Sequence, residues 1–530
     1  MKTAKKLITL VLAFVLVLGL VACVDTNDPS TPGTNPGTNP GTTKDPVVLE
    51  WYYRGNGVQK DTKRVEEEFN KLLKTFPGME HVTVHLNCFT GAEYGKAVAL
   101  AQSADQQIDI LNNVYLNFVD QVRLGSYMPL DDLLADNKDL RDELPQWLWD
   151  LASVDGKIYM VPHYQRAANQ EYLVIPKEYL QYADEAAIRA MCADTDRTVQ
   201  EVADVLAAYV KTIQNKVGPT KYAYPIGQLF NTTHGFTHRF DNISNNVVLM
   251  ENANGKVEYL FNSTDAKKAY EISAQWYDDG LIHPDYLTIK DSETNFTGKN
   301  MLNPISYCFT MANGAGSEEI VSAQLSTTYG FDVVAIPIWN NYYIQNAWGA
   351  GGDGITAKCK NPKEALRLLE LMNTEEGAAL YNMVVYGLEG VHYEKIDETH
   401  IKTLEYDGSQ GGADTSYAAM KWIMGNTFHA YLNQGCADGE NEIALEINES
   451  KDNAVSPLMG FRVDIKPVEN EISQMTAVMK EFNATVSGGV MGTAGWQAKY
   501  DEFVNKLEAA GMSKVLAEIQ RQVDAFLAGK

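Results

Sequence analysis

The first folded stretch changes its apolar spacing every ten to twenty residues. Val47–Tyr53 is apolar enough to read as a buried strand and stops at Arg54-Gly55-Asn56-Gly57. From Asp61 to Phe76 the apolar residues are Val65, Phe69, Leu72, Leu73 and Phe76, which is helical spacing. Val82, Val84 and Leu86 then alternate within His81–Phe89, the mark of a second strand. A helix near Glu93–Ser103 and a short strand at Ile108–Leu111 follow. This β-α-β-α-β order predicts a parallel sheet covered by helices. Such sheets place ligands at the loops beyond the carboxyl ends of strands, here 54–58 and 112–117.

A second block begins near Glu171, with helices at Glu185–Cys192 and Thr198–Asn215. Asn262-Ser263-Thr264-Asp265 precedes an amphipathic helix reaching about Asp279, and Gly330–Ile338 is strand-like. Asn361-Pro362 starts a helix with proline in its first turn. That helix, Lys363–Met372, and the next, Glu375–Val385, end before Gly387. At the C-terminus, Asp501–Leu527 sets Met512, Leu516, Ile519, Val523 and Phe526 on one stripe, which predicts a docked surface helix.

The N-terminus follows different rules. Lys2, Lys5 and Lys6 precede an apolar run of 15 residues, Leu7–Val21. A spanning helix needs about 20, so the run fits the apolar segment of a signal peptide. It ends Leu20-Val21-Ala22-Cys23. Residues 23–46 repeat Pro-Gly-Thr-Asn, with nothing to bury, and read as a disordered tether.

Composition narrows the partners. The 530 residues carry 44 basic and 69 acidic side chains, a formal charge of −25. Removing Met1–Ala22, which holds three lysines and no acid, deepens it to −28. A body that acidic repels phosphate backbones, which excludes nucleic acid as a partner. Tyrosine dominates the aromatic set, 28 against 17 Phe and 8 Trp, which favours surfaces both adhesive and polar. Beyond Cys23 there are five cysteines at wide spacings and no C-x-x-C, so neither a disulfide framework nor a zinc knuckle is expected.

The motifs resemble a known family. Leu20–Cys23 resembles the bacterial lipobox, whose cysteine receives a diacylglyceryl group and becomes the new N-terminus. Gly125–Asp131 (GSYMPLD), Val154–Pro162 (VDGKIYMVP), Asn295–Met301 (NFTGKNM), Lys358–Met372 and Tyr386–Tyr393 (YGLEGVHY) occur in the order seen in extracellular solute-binding protein family 1. The set is most similar to the large lipoprotein branch of Gram-positive bacteria, which serves carbohydrate ABC importers. Asn300 departs from the alanine usual at its position. The resemblance implies an α/β, two-lobed periplasmic-binding-protein-like fold with a hinge and an interlobe ligand cleft. Lobe 1 would be 47–165 plus 340–390, and lobe 2 would be 166–339 plus 391–530. It implies a monomer anchored through Cys23 to the extracellular face of the cytoplasmic membrane, with a soluble oligosaccharide and ABC permease transmembrane subunits as partners.

A sugar offers apolar C–H faces rimmed by hydroxyls, so its pocket needs aromatic planes and polar acceptors. By position the expected ligand contacts are Tyr53, Arg54 and Asn56 after the first strand, and Asn113 and Tyr115 after the third. His163 and Tyr164 follow the predicted crossing strand. Trp348 and Asp353 lie in a glycine-rich return, and Glu389 and Trp422 complete the set. Trp51, Trp276 and Trp496 read as packing residues, and Trp147 and Trp149 as lobe surface beside a proline turn.

Two other readings stand beside this one: a secreted lipoprotein glycoside hydrolase using two carboxylates, and a binding protein for a peptide or other non-sugar solute. No G-x-S-x-G, H-E-x-x-H or G-x-x-x-x-G-K-[ST] occurs, and the expectation is a protein that is not an enzyme. His234 and His238 have the spacing of a metal pair, but Gly235 weakens a helix there. No cofactor is expected; structural calcium would fit only an acid- and glycine-rich loop such as Asp407–Asp414.

Overall fold

A computed structural model describes residues 44–223, 235–251, 254–286, 306–346, 351–406, 411–486 and 495–529. The leader, Cys23, the tether up to residue 43, Trp348 and the 295–301 motif lie outside the described residues. Among those described, no helix is long and apolar enough to cross a membrane.

The predicted opening order is present: β1 (Val47–Gly55), α1 (Thr62–Leu73), β2 (Val82–Thr90), α2 (Tyr94–Ser103) and β3 (Ile110–Asn112). Val47, Leu49, Trp51 and Tyr53 point into the core from β1, while Val82, Val84 and Leu86 do so from β2. Strands β1 and β2 run parallel from Val47 opposite Val82 to Gly55 opposite Thr90, and β3 pairs parallel with β1. The sheet is mixed, however, rather than parallel throughout. Gly352–Ile355 joins β3 antiparallel, and Val161–Pro162 pairs antiparallel beyond it.

The expected crossing strand, Val154–Pro162, is not continuous: Ser153–Val154 pairs with Lys157–Ile158, and Val161–Pro162 joins the first sheet. The strand that leads from the first core, at Tyr164, into the second, at Leu173 and Ile175, is Ala168–Pro176; this crossing strand is buried along all nine residues and centres a second sheet. Thr310–Gly314, Val333–Pro337 and Tyr343–Ile344 each pair with it antiparallel. The helix Val199–Lys216 covers this body and opens with a capping box, in which Thr198 and Glu201 satisfy each other's backbone N–H groups. The helix Pro362–Asn373 begins at proline as the sequence predicts.

Three further expectations change. Tyr393, Ile401, Ala419, Ile423, Met424 and Ala430 share the core of β1 and β2, so this part of 391–530 packs with the first body instead of the second. The C-terminal helix is two, Trp496–Ala509 and Met512–Ala528, broken where Gly511 adopts φ +101°. Both pack with residues 240–270 around a core of their own, where Met512, Ile519 and Val523 are buried and Leu516 and Phe526 partly so. Trp149 is also core, not lobe surface, with Trp147 packed partly buried against that core.

The bodies also touch away from the crossing strand. Arg462 Nη2 donates to the Leu151 carbonyl at 3.2 Å, and its guanidinium lies 6.0 Å from the Phe118 ring. Arg123 pairs with Asp464 at 3.7 Å, and Lys466 with Asp120 at 3.3 Å.

Candidate functional site

The expected ligand residues separate into groups of different character. The first is an aromatic platform at the carboxyl ends of β1 and β3. Arg54, one residue before the end of β1, places its guanidinium 4.6 Å from the Tyr115 ring and 5.4 Å from the Trp422 ring. Its Nη1 sits 2.8 Å from Met420 Sδ, and its Nε is buried without a hydrogen-bond partner. Gly91 makes room for it, since a Cβ there would lie 3.2 Å from Nε. Tyr115 is 72% exposed and holds φ +66°, a left-handed conformation that a bulky residue adopts only under constraint. A large aromatic held strained in water beside a cation is a surface prepared for a flat, weakly polar partner.

The second group lies beneath, fully buried. Asp353 Oδ1 accepts from Trp51 Nε1 at 3.0 Å and from Asn112 Nδ2 at 3.2 Å. Its Oδ2 accepts from His163 Nε2 at 2.9 Å. Asn113 Oδ1 accepts from the Gly352 N–H at 2.8 Å, tying the β3 loop to the same strand. Gly354 is required here, because a Cβ would lie 2.2 Å from the Tyr127 ring. Burial raises the Tyr94 and Tyr127 hydroxyl pKa values, with the Asp353 charge adding to the effect. The expectation that Asp353 accepts sugar hydroxyls therefore changes: its acceptors already serve protein donors, and with His163 and Asn113 it fixes the floor. His163 Nδ1 and the Tyr127 hydroxyl are buried without a hydrogen-bond partner among the described residues.

The remaining described residues make other contacts. Tyr53 is core, 5.3 Å from the Trp51 ring, and burial raises its hydroxyl pKa. Tyr164 is buried edge-on to Phe428 at 4.9 Å, and burial raises its pKa. Asn56 Nδ2 donates to the Ala418 carbonyl at 2.9 Å. Glu389 is exposed and stands 3.7 Å from Lys395 in a turn fixed by Gly387 and His392. Trp348 lies outside the described residues.

A third group escaped the sequence reading. Arg166 leads into the crossing strand, and Glu171 lies within it, 2% exposed. Among the described residues, Glu171 Oε1 accepts only a long 3.4 Å bond from Asn313 Nδ2. Burial pushes its carboxyl up to about 7, against the lowering effect of Asn313 and Arg166. Lys421, between Met420 and Trp422, has its ammonium pKa lowered by burial, with the Arg166 charge adding to it. Glu440 stands near both cations. The one sequence signal was an acid heading the apolar run Tyr172–Ile175.

Among the described residues, no group of three His, Cys, Asp or Glu is arranged to hold a metal. His234 and residues 407–410 of the acidic loop lie outside that description. His238 Nδ1 is 2.8 Å from Asp265 Oδ2. All five cysteines from Cys88 to Cys436 are free, and burial raises the pKa of each thiol.

Comparison with known proteins places this arrangement in context. Residues 457–528 match a family described as a domain of unknown function, DUF3502. A carbohydrate ABC transporter substrate-binding protein of Streptococcus pneumoniae is 25% identical over 518 residues, 97% of this chain and 96% of that one. The crystal structure of the N-glycan transport solute binding protein NgtS from the same species superposes with a TM-score of 0.69 at 22% identity, over 91% of this chain and 99% of that one. An extracellular solute-binding protein from Bifidobacterium longum subsp. infantis gives 0.58 at 14% identity, over 92% and 99%. The fold is that of the two-lobed solute-binding proteins.

Proposed function

We propose that this chain, which falls by fold and by full-length similarity among the solute-binding proteins of carbohydrate ABC importers, captures an oligosaccharide between its lobes and delivers it to a permease. The observation that carries the reading is the Arg54–Tyr115–Trp422 platform: two aromatic planes and a cation without an ion-pair partner among the described residues, beside the strand ends where α/β sheets bind ligands. NgtS, which shares the fold, has been crystallised with Man1GlcNAc and with Man5GlcNAc. Cys23 would carry the lipid, and residues 24–46 would hold the body off the outer face of the membrane. The lobe boundary we propose follows the cores, with residues 391–434 returned to the lobe that contains β1.

Opening the lobes would break the pairs Arg123–Asp464 and Lys466–Asp120, each partly solvated and worth about 0–1 kcal/mol. So little stabilisation leaves ligand contacts to decide between open and closed forms. The protein binds without turnover. Incubation with a glycan panel tests this directly: the true ligand raises the melting temperature and is recovered unchanged. A shortened product would make the protein a hydrolase, and a shift with peptides alone would remove the sugar assignment. Trp348→Ala is expected to abolish the ligand-induced shift while leaving the ligand-free melting temperature in place.

A further inference from the structure

The chain has 25 more acids than bases, yet cations near the crossing strand are left without them. Neither the Arg166 guanidinium nor the Lys421 ammonium has an ion pair or hydrogen bond among the described residues, and no carboxylate oxygen approaches either within 4.0 Å. Both side chains are only partly exposed. Tyr164, two residues before Arg166, forms a backbone bridge with Asn426, five residues after Lys421, which brings the two cation-bearing segments together, and burial lowers the pKa of each side chain. Partly desolvated cations held together without a counter-charge are costly, and folded proteins retain them where a ligand supplies the anion.

The neighbouring acids do not fill that role. Glu440 Oε2 is itself buried without a partner. Glu171, with its carboxyl pushed up to about 7, carries only part of a charge at neutral pH. The two cations therefore share these neighbouring acids without a paired counter-charge among the described residues. An acceptor also stands ready: Asn169 Oδ1, on the strand face that carries Glu171, is buried and unpartnered among the described residues, suited to a sugar hydroxyl. Lys421 belongs to the same short turn as Trp422, whose ring packs by Arg54, so the cation pair and the platform are joined by adjacent residues.

We infer that the ligand is an anionic glycan, with Arg166 and Lys421 receiving a carboxylate or sulfate of one sugar unit while the Arg54–Tyr115–Trp422 platform takes a ring face. This rests on the oligosaccharide reading and narrows it. Arg166 supplies a planar fork matched to two oxygens, and Lys421 a point charge beside it.

Calorimetric titration of the full chain against matched glycan pairs decides the matter. The pairs are oligogalacturonate and its methyl ester, a sialylated oligosaccharide and its desialylated form, and a sulfated glycan with its desulfated form. In at least one pair the anionic member should bind at least about 10-fold more tightly than its neutral partner. That preference should shrink between about 50 mM and about 500 mM salt. Which pair responds tells carboxylate from sulfate. The Arg166→Gln/Lys421→Gln double variant should bring the ratio close to one, and Lys421→Gln alone, should the double variant unfold, should reduce it about threefold. The inference is overturned if every neutral member binds as well as its anionic partner, or if the variants leave the preference intact; sugar capture would survive either result. Binding by no member of any pair would overturn both.

Discussion

Asp353 and Glu171 are carboxylates of equal burial, each 2% exposed, one in the sheet of β1 and one on the crossing strand. Three side-chain donors from residues 190 to 302 positions away close on Asp353 at 2.9–3.2 Å. Glu171 has one side-chain donor at 3.4 Å. A buried acid surrounded by donors holds its neighbours in place, whereas one with few donors is held by them and carries a charge that the fold disfavours. One side of the candidate site is thus preorganised and satisfied, and the other is polar and partly unsatisfied, the condition of a wall that waits for ligand groups.

The largest expected effect comes from Asp353→Ala. It strands the Trp51, Asn112 and His163 donors in the core and is expected to lower ligand-free stability by about 3–5 kcal/mol in urea melts. If stability were unchanged and only binding lost, Asp353 would be a ligand acceptor and the comparison would collapse.

The next largest effect has the opposite sign. An acid titrating near 4.5 when unfolded and at about 7 when folded leaves stability intact below about pH 4.5 and removes it as pH rises through about 7. A rise of that size corresponds to about 3 kcal/mol at alkaline pH. Glu171→Gln keeps an acceptor for Asn313 and removes the charge, so it should stabilise the protein by about 2–3 kcal/mol at pH 8 and hardly at all at pH 4.5. An equal effect at both pH values would mean that packing, not charge, is responsible.

How far the sequence reveals these two sides depends on chain separation. The alternation in β2, the spacing of Val65, Phe69 and Leu73 in α1, and the proline start at Pro362 are local signals, and each element forms where expected. Arg54 and Tyr115 could be nominated from the ends of strands, which are local as well; that Trp422 lies beside them could not. The role of Asp353 was not, since Gly352–Ile355 pairs with β3 across about 240 residues and only that pairing brings Asn112 and Trp51 to it. The return of residues 391–434 to the first core was hidden for the same reason. Periodicity shows which face of a strand is buried, never against what. Glu171 and Lys421 had no local signature at all beyond a charge beside apolar neighbours.

The smallest effect tests the open side of the platform. Tyr115 holds φ +66° with its ring in water over Arg54, so its backbone costs about 1 kcal/mol and its exposed cation–π contact returns about 0.5–1 kcal/mol. Asparagine tolerates the left-handed region far better than tyrosine. In Tyr115→Asn the two terms nearly cancel, and ligand-free stability should move by less than about 0.5 kcal/mol. Binding has no such compensation, because the stacking plane is gone; affinity for the glycan ligand should fall about 10-fold by calorimetry. A stability loss above about 2 kcal/mol would mean that the ring supports the fold as Asp353 does. Unchanged affinity would leave Arg54 and Trp422 as the whole platform. Loss of affinity alone is the outcome that separates a surface strained for a ligand from a floor satisfied by the protein itself.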